Sequence, residues 1–153
     1  MTLALHPTPF RSMSDLADIV IRPATPVDVE GIETLIAPFV DAKRVLPRTQ
    51  GELTELVTNG FVAELNGQIV GFATLEIYSR KLAEIRSLCV QEGLQGRGIG
   101  RLLTRACVDL ATHRNIYEVM VITSSEEFFR NCGFDFTLPG EKKALFLQTR
   151  DEH

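Results

Sequence analysis

A glycine-rich segment in the second half of the chain has the composition of an anion-binding loop. Its sequence is Gln95-Gly96-Arg97-Gly98-Ile99-Gly100-Arg101. Glycines let a backbone turn tightly and approach a ligand closely, and N–H groups at the start of a helix attract anions together with the helix dipole. Arg97 and Arg101 add positive charge that suits phosphate. The segment therefore predicts a pyrophosphate site, and the plainer alternative is a glycine-rich turn that binds nothing.

Two common nucleotide loops do not fit this segment. A Walker A loop ends in Gly-Lys-Ser or Gly-Lys-Thr, which is absent here. The dinucleotide fingerprint G-x-G-x-x-G, started at Gly96, requires a small residue where Arg101 stands, and it belongs to a parallel βαβ unit. Here a β-hairpin and a further strand are predicted to precede the loop. We therefore expect the pyrophosphate of another cofactor.

A single carboxylate inside a predicted strand is the second candidate. Glu84 lies in the apolar stretch 83–90, which also holds Arg86 and Ser87. A carboxylate in the middle of a sheet is costly unless it has a partner or a chemical role. Glu84 is therefore a candidate functional residue, and the alternative is a glutamate that is solvated or paired with Arg86.

The predicted elements that position these residues follow the order β-α-α-β-β-β-α-β-α-β-β after a tail at residues 1–17. Period-2 and continuous apolar runs predict strands at 18–22, 61–65, 68–77, 83–90, 117–123, 134–136 and 144–149. Helical periods predict helices beginning at Pro26 and covering 50–59, 98–113 and 126–132.

Several local signals refine these elements. Pro38 is expected to stop or kink the first helix. Thr49 and Glu52 form a capping-box pattern, and Asn66-Gly67 is a hairpin signal. The continuous apolar run at 117–123 predicts a central strand buried on both faces. The helix at 98–113 is expected to bury one face, made of Ile99, Leu102, Leu103, Ala106, Cys107 and Leu110.

Composition and charge exclude several classes of partner. The chain has 153 residues with a net charge of −4, which disfavours non-specific binding of nucleic acid or anionic membranes. No apolar run approaches the ~20 residues of a membrane span, and the first residues lack the pattern of a secretory signal, so a cytoplasmic protein is expected. The cysteines, Cys89, Cys107 and Cys132, are odd in number and lack C-x-x-C spacing. They are expected in the core, and no disulfide framework or metal site is predicted.

The motif Gln95-x-x-Gly98-x-Gly100, after a strand and at the start of a helix, resembles the acetyl-CoA pyrophosphate loop of the GNAT (Gcn5-related N-acetyltransferase) superfamily. The order of elements matches that family from Ile19 to Thr149. The resemblance implies an α/β GNAT-like single domain over 18–150, with a mixed, mostly antiparallel central sheet flanked by helices. It also implies that acetyl-CoA is the cofactor, and many members are homodimers.

The same resemblance implies roles for individual residues. Backbone N–H groups from Gln95 to Arg101 would hold the pyrophosphate, and Leu88, Cys89 and Val90 would pair with the pantetheine arm as an added strand does. The helix that carries Phe128 would flank this arm. The other candidate residues would take part in the acetyl transfer itself.

Transfer of acetyl to an amine requires removal of a proton, because amines are mostly protonated at neutral pH. Glu84 matches the position of the catalytic glutamate in several GNAT members and would be the base. A backbone N–H near Cys89 would polarise the acetyl carbonyl. Thr123 and Ser124 are candidates for the acid that protonates the leaving thiolate, and the alternative is that they cap the next helix.

Three stretches resemble a narrower branch, the acetyltransferase domain of N-acetylglutamate synthases. They are residues 21–25 with 35–38, residues 46–49 before a helix with Glu52, and residues 129–134 followed by 138–139 and 142–150. This resemblance implies that Arg48 and Arg150 bind the carboxylates of a glutamate acceptor, for which guanidinium groups are well suited. Two alternatives stay open. One is a GNAT enzyme that acetylates a protein, a polyamine or a small toxic amine, and the other is an acyl-CoA sensor without catalysis.

Overall fold

The computed structural model describes residues 18–137 and 139–149, which divide into one compact unit up to Ile122 and another from Thr123. The first unit contains, in chain order, β1 (Val20–Pro23), α1 (Val29–Asp41), α2 (Gln50–Leu56), β2 (Gly60–Leu65), β3 (Gln68–Ser79), β4 (Leu82–Val90), α3 (Ile99–His113) and β5 (Glu118–Met120). The second unit contains α4 (Glu126–Asn131). None of the described helices is long and apolar enough to cross a membrane.

The sheet of the first unit has the spatial order β1-β2-β3-β4-β5. The strands β1, β2, β3 and β4 pair antiparallel with one another in that order, and β5 runs parallel to β4. The predicted α/β class with a mixed, mostly antiparallel sheet is therefore confirmed. Asn66 and Gly67 join β2 to β3 with φ values of +51° and +79°, as a tight hairpin of this hand requires.

The two faces of the sheet are covered by different helices. Phe72 of β3 lies in a buried cluster with residues of α1 and α2, among them Ile32 and Leu53. The neighbouring Gly71 points to the opposite face, where an added Cβ would lie 2.9 Å from Cδ1 of Leu103 on α3. Gly71 therefore permits the close approach of α3 to the sheet.

A buried carboxylate fastens the start of the α1 region to the sheet. Both Asp28 oxygens accept hydrogen bonds of 2.8 Å from the Arg22 guanidinium, and the backbone N–H of Thr25 donates to the same carboxylate at 2.8 Å. Arg22 also donates to Glu64 on β2 at 2.7 Å. Chiefly through the Arg22 hydrogen bonds, the pKa of Asp28 falls to about 2. One arginine thus joins β1, β2 and the turn that begins at Pro26.

Three expectations about the first unit need correction. Of the two outcomes expected at Pro38, the stop is wrong, since Pro38 lies inside α1 and the helix continues to Asp41. Leu102 is 51% exposed, because the buried face of α3 follows Ile99, Leu103, Cys107 and Ala111. The predicted first strand also shifts to Val20–Pro23, because a proline is tolerated on an edge strand.

The predicted central strand at 117–123 is a short edge strand. Only Glu118–Met120 is extended and paired, β4 is its one partner in the described sheet, and Ile122 is 58% exposed. A continuous apolar run does not distinguish a central strand from an edge strand that leads into a loop.

The two predicted final strands, 134–136 and 144–149, are absent from the described residues. Leu145 and Leu147 are 91% and 86% exposed. Apolar and aromatic residues favour strands only where a second strand supplies hydrogen bonds and packing. Within the second unit, Phe129 packs edge-on against Phe128 and Phe134, with ring centroids 4.9 Å and 5.6 Å apart.

Acid should weaken the anchor at Asp28. Its pKa is lower in the folded protein than the ordinary 3.8, so the stabilisation is complete above pH 4 and is lost as the pH falls towards 2. We expect Asp28→Asn to lower the free energy of unfolding at neutral pH by about 2 kcal/mol and to flatten its pH dependence below 4. Urea unfolding at several pH values measures both effects. Glu30→Gln, an exposed control on α1, should change neither, and an equally steep acid dependence in Asp28→Asn would contradict the assignment.

Candidate functional site

The loop between β4 and α3 is built on left-handed glycines. Gly93, Gly96 and Gly98 have φ values of +86°, +77° and +93°, and Gly98 is the N-cap of α3. An added Cβ at Gly96 or Gly98 would meet nothing within 4 Å, so backbone conformation rather than crowding requires glycine there. The open space in front of these residues leaves the backbone accessible to a ligand.

The start of α3 presents donors to that space. The first hydrogen bond of the helix runs from the Leu102 N–H to the Gly98 carbonyl at 3.0 Å, so the N–H groups of Ile99, Gly100 and Arg101 have no partner within the helix. With 15 residues, α3 has a substantial dipole. The exposed Arg101 adds charge to this end.

The loop is held by bonds that leave its glycines uncovered. The N–H of Gln91 donates to the Val70 carbonyl at 2.8 Å, and the Gln95 side chain donates to the Val90 carbonyl at 2.9 Å. Leu94 is buried beneath the loop. Gln95 therefore braces the loop with its side chain, and its predicted ligand contact concerns only its backbone.

One edge of β4 is open next to the loop. β5 pairs with β4 only along Leu82–Glu84, so in the described sheet no ladder continues on that side over residues 85–90. Leu88, Cys89 and Val90 lie in this part of β4, immediately before the loop. An extended ligand with amide groups can pair with such an edge.

A β-bulge lies between Glu84 and the loop. Thr74 pairs with Arg86 and Phe72 pairs with Cys89, so β4 holds one more residue than β3 over this stretch. Ser87 has a φ of +57°, which is costly for a residue other than glycine, and its buried hydroxyl oxygen has no hydrogen-bond partner among the described residues. Strain and an unsatisfied polar atom coincide here, as is common at functional sites.

Glu84 is buried on the α2 side of the sheet. In the β3–β4 ladder Glu84 lies opposite Glu76, which is on the same face of β3 as Thr74. The Thr74 hydroxyl donates to the Leu56 carbonyl of α2 at 2.7 Å, and this bond identifies the face. The phenolic O–H of Tyr78 donates to Oε1 of Glu84 at 2.5 Å. Arg86 donates instead to Glu76 at 2.8 Å. Of the two alternatives considered for Glu84, the pairing with Arg86 is therefore wrong, and the partner is a neutral phenol.

Tyr78 is a candidate functional residue that sequence reasoning missed. The sequence predicts that β3 ends at Ile77, which leaves Tyr78 in a turn, but the strand continues to Ser79. Extending both strands to the short turn at Arg80 and Lys81 would have brought Tyr78 opposite the Glu84 region. Chiefly because of burial, and also because of its hydrogen bond to Glu84, the pKa of Tyr78 rises to about 12.

Two of the cysteines are core residues, as expected. Cys89 and Cys107 are buried, and burial raises the pKa of each thiol to about 12. Neither is a thiolate at neutral pH, so neither is a ready nucleophile. Cys89 contributes to the site through its backbone, on the open edge of β4.

Arg48 is mostly buried and is not a solvated surface residue. Its side chain is 12% exposed, it lies just before α2, and its Nη1 is 3.5 Å from the Glu52 carboxylate. Its Nε is buried and has no hydrogen-bond partner among the described residues. Unsatisfied buried donors are rare and costly, so this guanidinium is suited to an acceptor from a ligand. The second predicted arginine, Arg150, lies outside the described residues.

The remaining predicted residues, Thr123, Ser124 and Phe128, lie in the second unit. The Thr123 hydroxyl accepts a hydrogen bond of 2.8 Å from the Ser125 N–H, so it supports the turn before α4. Ser124 is exposed, and Phe128 packs against Phe129. The N-cap of α4 is Ser125, and no side chain caps the helix, so the capping alternative is wrong for Thr123 and Ser124. The roles of all three residues towards a cofactor stay predictions.

Comparisons with known proteins agree on one family. The model of the acetyltransferase (GNAT) family matches residues 33–134. An uncharacterized N-acetyltransferase of Chlorobaculum tepidum is 33% identical over 118 residues, which are 77% of this chain and 76% of that protein. An amino-acid acetyltransferase of Mycobacterium tuberculosis is 32% identical over 118 residues, which are 75% of this chain and 67% of that protein.

A solved structure extends the similarity to three dimensions. The N-acetylglutamate synthase of Neisseria gonorrhoeae, complexed with coenzyme A and N-acetyl-glutamate, superposes with a TM-score of 0.69 and 25% identity. The match covers 74% of this chain but only 27% of the synthase, so it concerns one part of that protein.

The contact between Tyr78 and Glu84 predicts a spectroscopic signature. Tyr78 and Tyr117 are the two tyrosines of the chain, so Tyr117→Phe leaves Tyr78 as the sole phenol. We expect its ultraviolet titration to have a midpoint at about 12, with the stabilisation from the neutral phenol lost between pH 10 and 12.

Adding Glu84→Gln should lower this midpoint, because the acceptor carboxylate and its negative charge disappear. Glu118→Gln, on β5, is the matched control and should leave the midpoint unchanged. Circular dichroism at each pH checks that the protein is folded. A midpoint that does not move on Glu84→Gln would contradict the contact.

Proposed function

Since this chain belongs to the acetyltransferase (GNAT) family, we propose that it transfers acetyl to the α-amine of an amino acid, with glutamate as the expected acceptor. The chain is an acyltransferase, and acetyl-CoA is its acyl donor. The similarity to the Mycobacterium tuberculosis amino-acid acetyltransferase supports an amino-acid acceptor. Arg48 and the N-acetyl-glutamate bound in the Neisseria gonorrhoeae structure support glutamate as that amino acid.

The observation that carries the proposal is the continuity between the open edge of β4 and the glycine loop. The unpaired edge at Leu88–Val90 offers backbone partners for the amides of a pantetheine arm. The N–H groups from Gln95 to Arg101 follow directly and can hold a pyrophosphate at the dipole of α3. An extended amide chain that ends in a pyrophosphate matches this arrangement in order and in charge.

Glu84 is placed to remove the proton of the acceptor amine. It is a buried carboxylate on the strand that also forms the open edge, and a base must lie within hydrogen-bond reach of the proton, directly or through one water. When bound, acetyl-CoA supplies a thioester carbonyl as the electrophile. The bulged backbone at Ser87–Cys89 supplies the N–H group proposed to polarise that carbonyl.

Arg48 supports an acceptor with a carboxylate. Its Nε is a buried donor without a partner in the described part of the protein, and the Glu52 carboxylate lies 3.5 Å from Nη1. A guanidinium pairs with a carboxylate through two donors. Such a group disfavours cationic acceptors such as polyamines. Arg150 is proposed as its companion on the strength of the sequence resemblance.

The function is tested by release of CoA thiol from acetyl-CoA across every amino acid, a polyamine and a lysine peptide. We expect the fastest release with glutamate. Cys89 and Cys107 are buried, but Cys132 is only partly buried, so a blank without acceptor corrects for the reaction of the protein's own thiols with the reagent. Release with other amines only would contradict the glutamate proposal. Absence of release with any acceptor, in protein that binds acetyl-CoA, would favour a sensor.

In the same assay, Arg48→Ala should raise the KM for glutamate about tenfold or more, because a charge-assisted pair is lost, and should leave the KM for acetyl-CoA unchanged. Arg44→Ala is the matched control, since Arg44 is an exposed arginine in the same connection. Equal effects of the two substitutions would remove Arg48 from the acceptor site.

The glycine loop provides an independent test of donor binding. We expect Gly98→Ala to weaken acetyl-CoA binding about tenfold, because a φ of +93° is strained in alanine and the donors at the start of α3 would move. Gly67→Ala is a matched control with a φ of +79° and equally open surroundings, far along the chain in the β2–β3 hairpin.

Both variants should lose about 1 kcal/mol of stability, measured by urea unfolding, but only Gly98→Ala should change the Kd measured by calorimetry. A weaker Kd in both variants would show a general effect of destabilisation rather than a role of the loop.

A further inference from the structure

We propose that Tyr78 is a positioning residue for catalysis: its phenolic O–H holds one oxygen of the Glu84 carboxylate, which directs the other oxygen towards the proton of the acceptor amine. The inference rests on the proposed function, because it takes Glu84 as the base. It adds to that function a residue on a different strand, whose effect passes through Glu84 rather than through contact with a substrate.

Tyr78 lies in a bulge at the end of β3. Ile77 pairs with Ala83 and Ser79 pairs with Leu82, so Tyr78 is the extra residue, with none opposite it on β4. Bulges of this kind are common beside active sites. Tyr78 is two positions from Glu76, the residue opposite Glu84 in the ladder, so the phenol and the Glu84 carboxylate share one face of the sheet.

Three charged side chains, Glu76, Glu84 and Arg86, lie near Tyr78, and Arg86 bonds to only one of the two carboxylates. Glu76 and Glu84 are opposite one another in the register, which is unfavourable for like charges. Arg86 neutralises Glu76 with a hydrogen bond of 2.8 Å, while Glu84 receives its bond from Tyr78. On the other side, the residue of β5 that pairs with Glu84 is the uncharged Met120.

The absence of a hydrogen bond from Arg86 to Glu84 suits the proposed role of Glu84 as a base. A cation bonded directly to Glu84 would stabilise the carboxylate strongly and make it a poor proton acceptor. A neutral phenol fixes the orientation of the carboxylate with a smaller effect on its affinity for a proton. Tyr78 also remains a donor over the working range, because its pKa is about 12. The pairing thus orients Glu84 through a neutral donor, while Arg86 bonds to Glu76.

The test is the pH dependence of kcat/KM for the acceptor in Tyr78→Phe, with Tyr117→Phe as the matched control. Loss of the phenolic bond should lower kcat about tenfold at neutral pH. It should also move the acidic limb of the profile to higher pH, because the ionised carboxylate loses a hydrogen-bond donor. The KM for acetyl-CoA should not change, and Tyr117→Phe, whose side chain is 69% exposed, should behave as the wild type does.

A merely structural role of Tyr78 would lower the melting temperature and reduce kcat equally at every pH, and that outcome would overturn the inference. Tyr78→Gln keeps a neutral donor at this position. We expect its acidic limb to lie closer to that of the wild type than the limb of Tyr78→Phe does, and it serves as the test where Tyr78→Phe fails to fold. A Tyr78→Gln variant that folds and retains the wild-type profile with unchanged kcat supports the inference, and one with a uniform loss overturns it.

Glu84→Gln separates this inference from the proposed function. Absence of transfer by the wild type contradicts the function itself, and normal turnover in Glu84→Gln contradicts the assignment of the base. Slow turnover in Glu84→Gln combined with wild-type behaviour in Tyr78→Phe overturns only the positioning role. Slow turnover in Glu84→Gln together with a shifted limb in Tyr78→Phe supports both.

Discussion

The short ladder between β4 and β5 is the constraint on which the site depends. β4 has a partner on both sides as far as Glu84 and on one side only beyond it. Buried backbone groups normally find partners, so a strand with one unpaired edge inside a sheet invites an extended ligand. The same strand therefore carries the proposed base in its doubly paired part and the proposed ligand edge in its singly paired part. Glu84 and the edge at Leu88–Val90 lie on one continuous strand, which fixes the distance between them.

Two bulges interrupt the ladder between β3 and β4 on either side of Glu84. The bulge at Ser87 lies on β4 where the ladder with β3 loses its regular register, and the bulge at Tyr78 lies on β3 near the turn. Each introduces an unfavourable local feature, a positive φ in one case and an unpaired residue in the other. Glu84 stands between them, and the buried hydroxyl of Ser87 is unsatisfied within the described residues. Such features persist where the surrounding structure is rigid, which here is the antiparallel sheet of β2, β3 and β4.

The parts of the fold that local chemistry specifies can be predicted from the sequence. The hairpin at Asn66-Gly67, the capping box at Thr49 and the glycine loop each depend on residues within a few positions of one another. For the same reason the loop can be interpreted as an anion site from its sequence. The edge position of β5 and the exposure of Leu102 depend on packing between distant segments, which periodicity does not contain.

The candidate site shows the same limit. Glu84 is recognisable because a carboxylate in an apolar strand is unusual in itself. Tyr78 is not, because its contact with Glu84 depends on where both strands end and on the register between them. The sequence also does not decide the partner of Glu84. Arg86 is two residues away along the strand, but the ladder directs it to Glu76.

The arginines of this chain differ in how completely the protein satisfies their hydrogen-bond donors, a difference that their sequence contexts do not show. Arg22 bonds two carboxylates at 2.7–2.8 Å, and Arg86 bonds one at 2.8 Å. Both are satisfied by the protein, so their charge supports the fold and the register of the sheet. Arg48 is as buried as a structural arginine would be, yet its Nε has no partner among the described residues and its Nη1 is 3.5 Å from the Glu52 carboxylate. Burial without satisfaction costs stability, and the acceptor carboxylate that we propose would supply the missing bond.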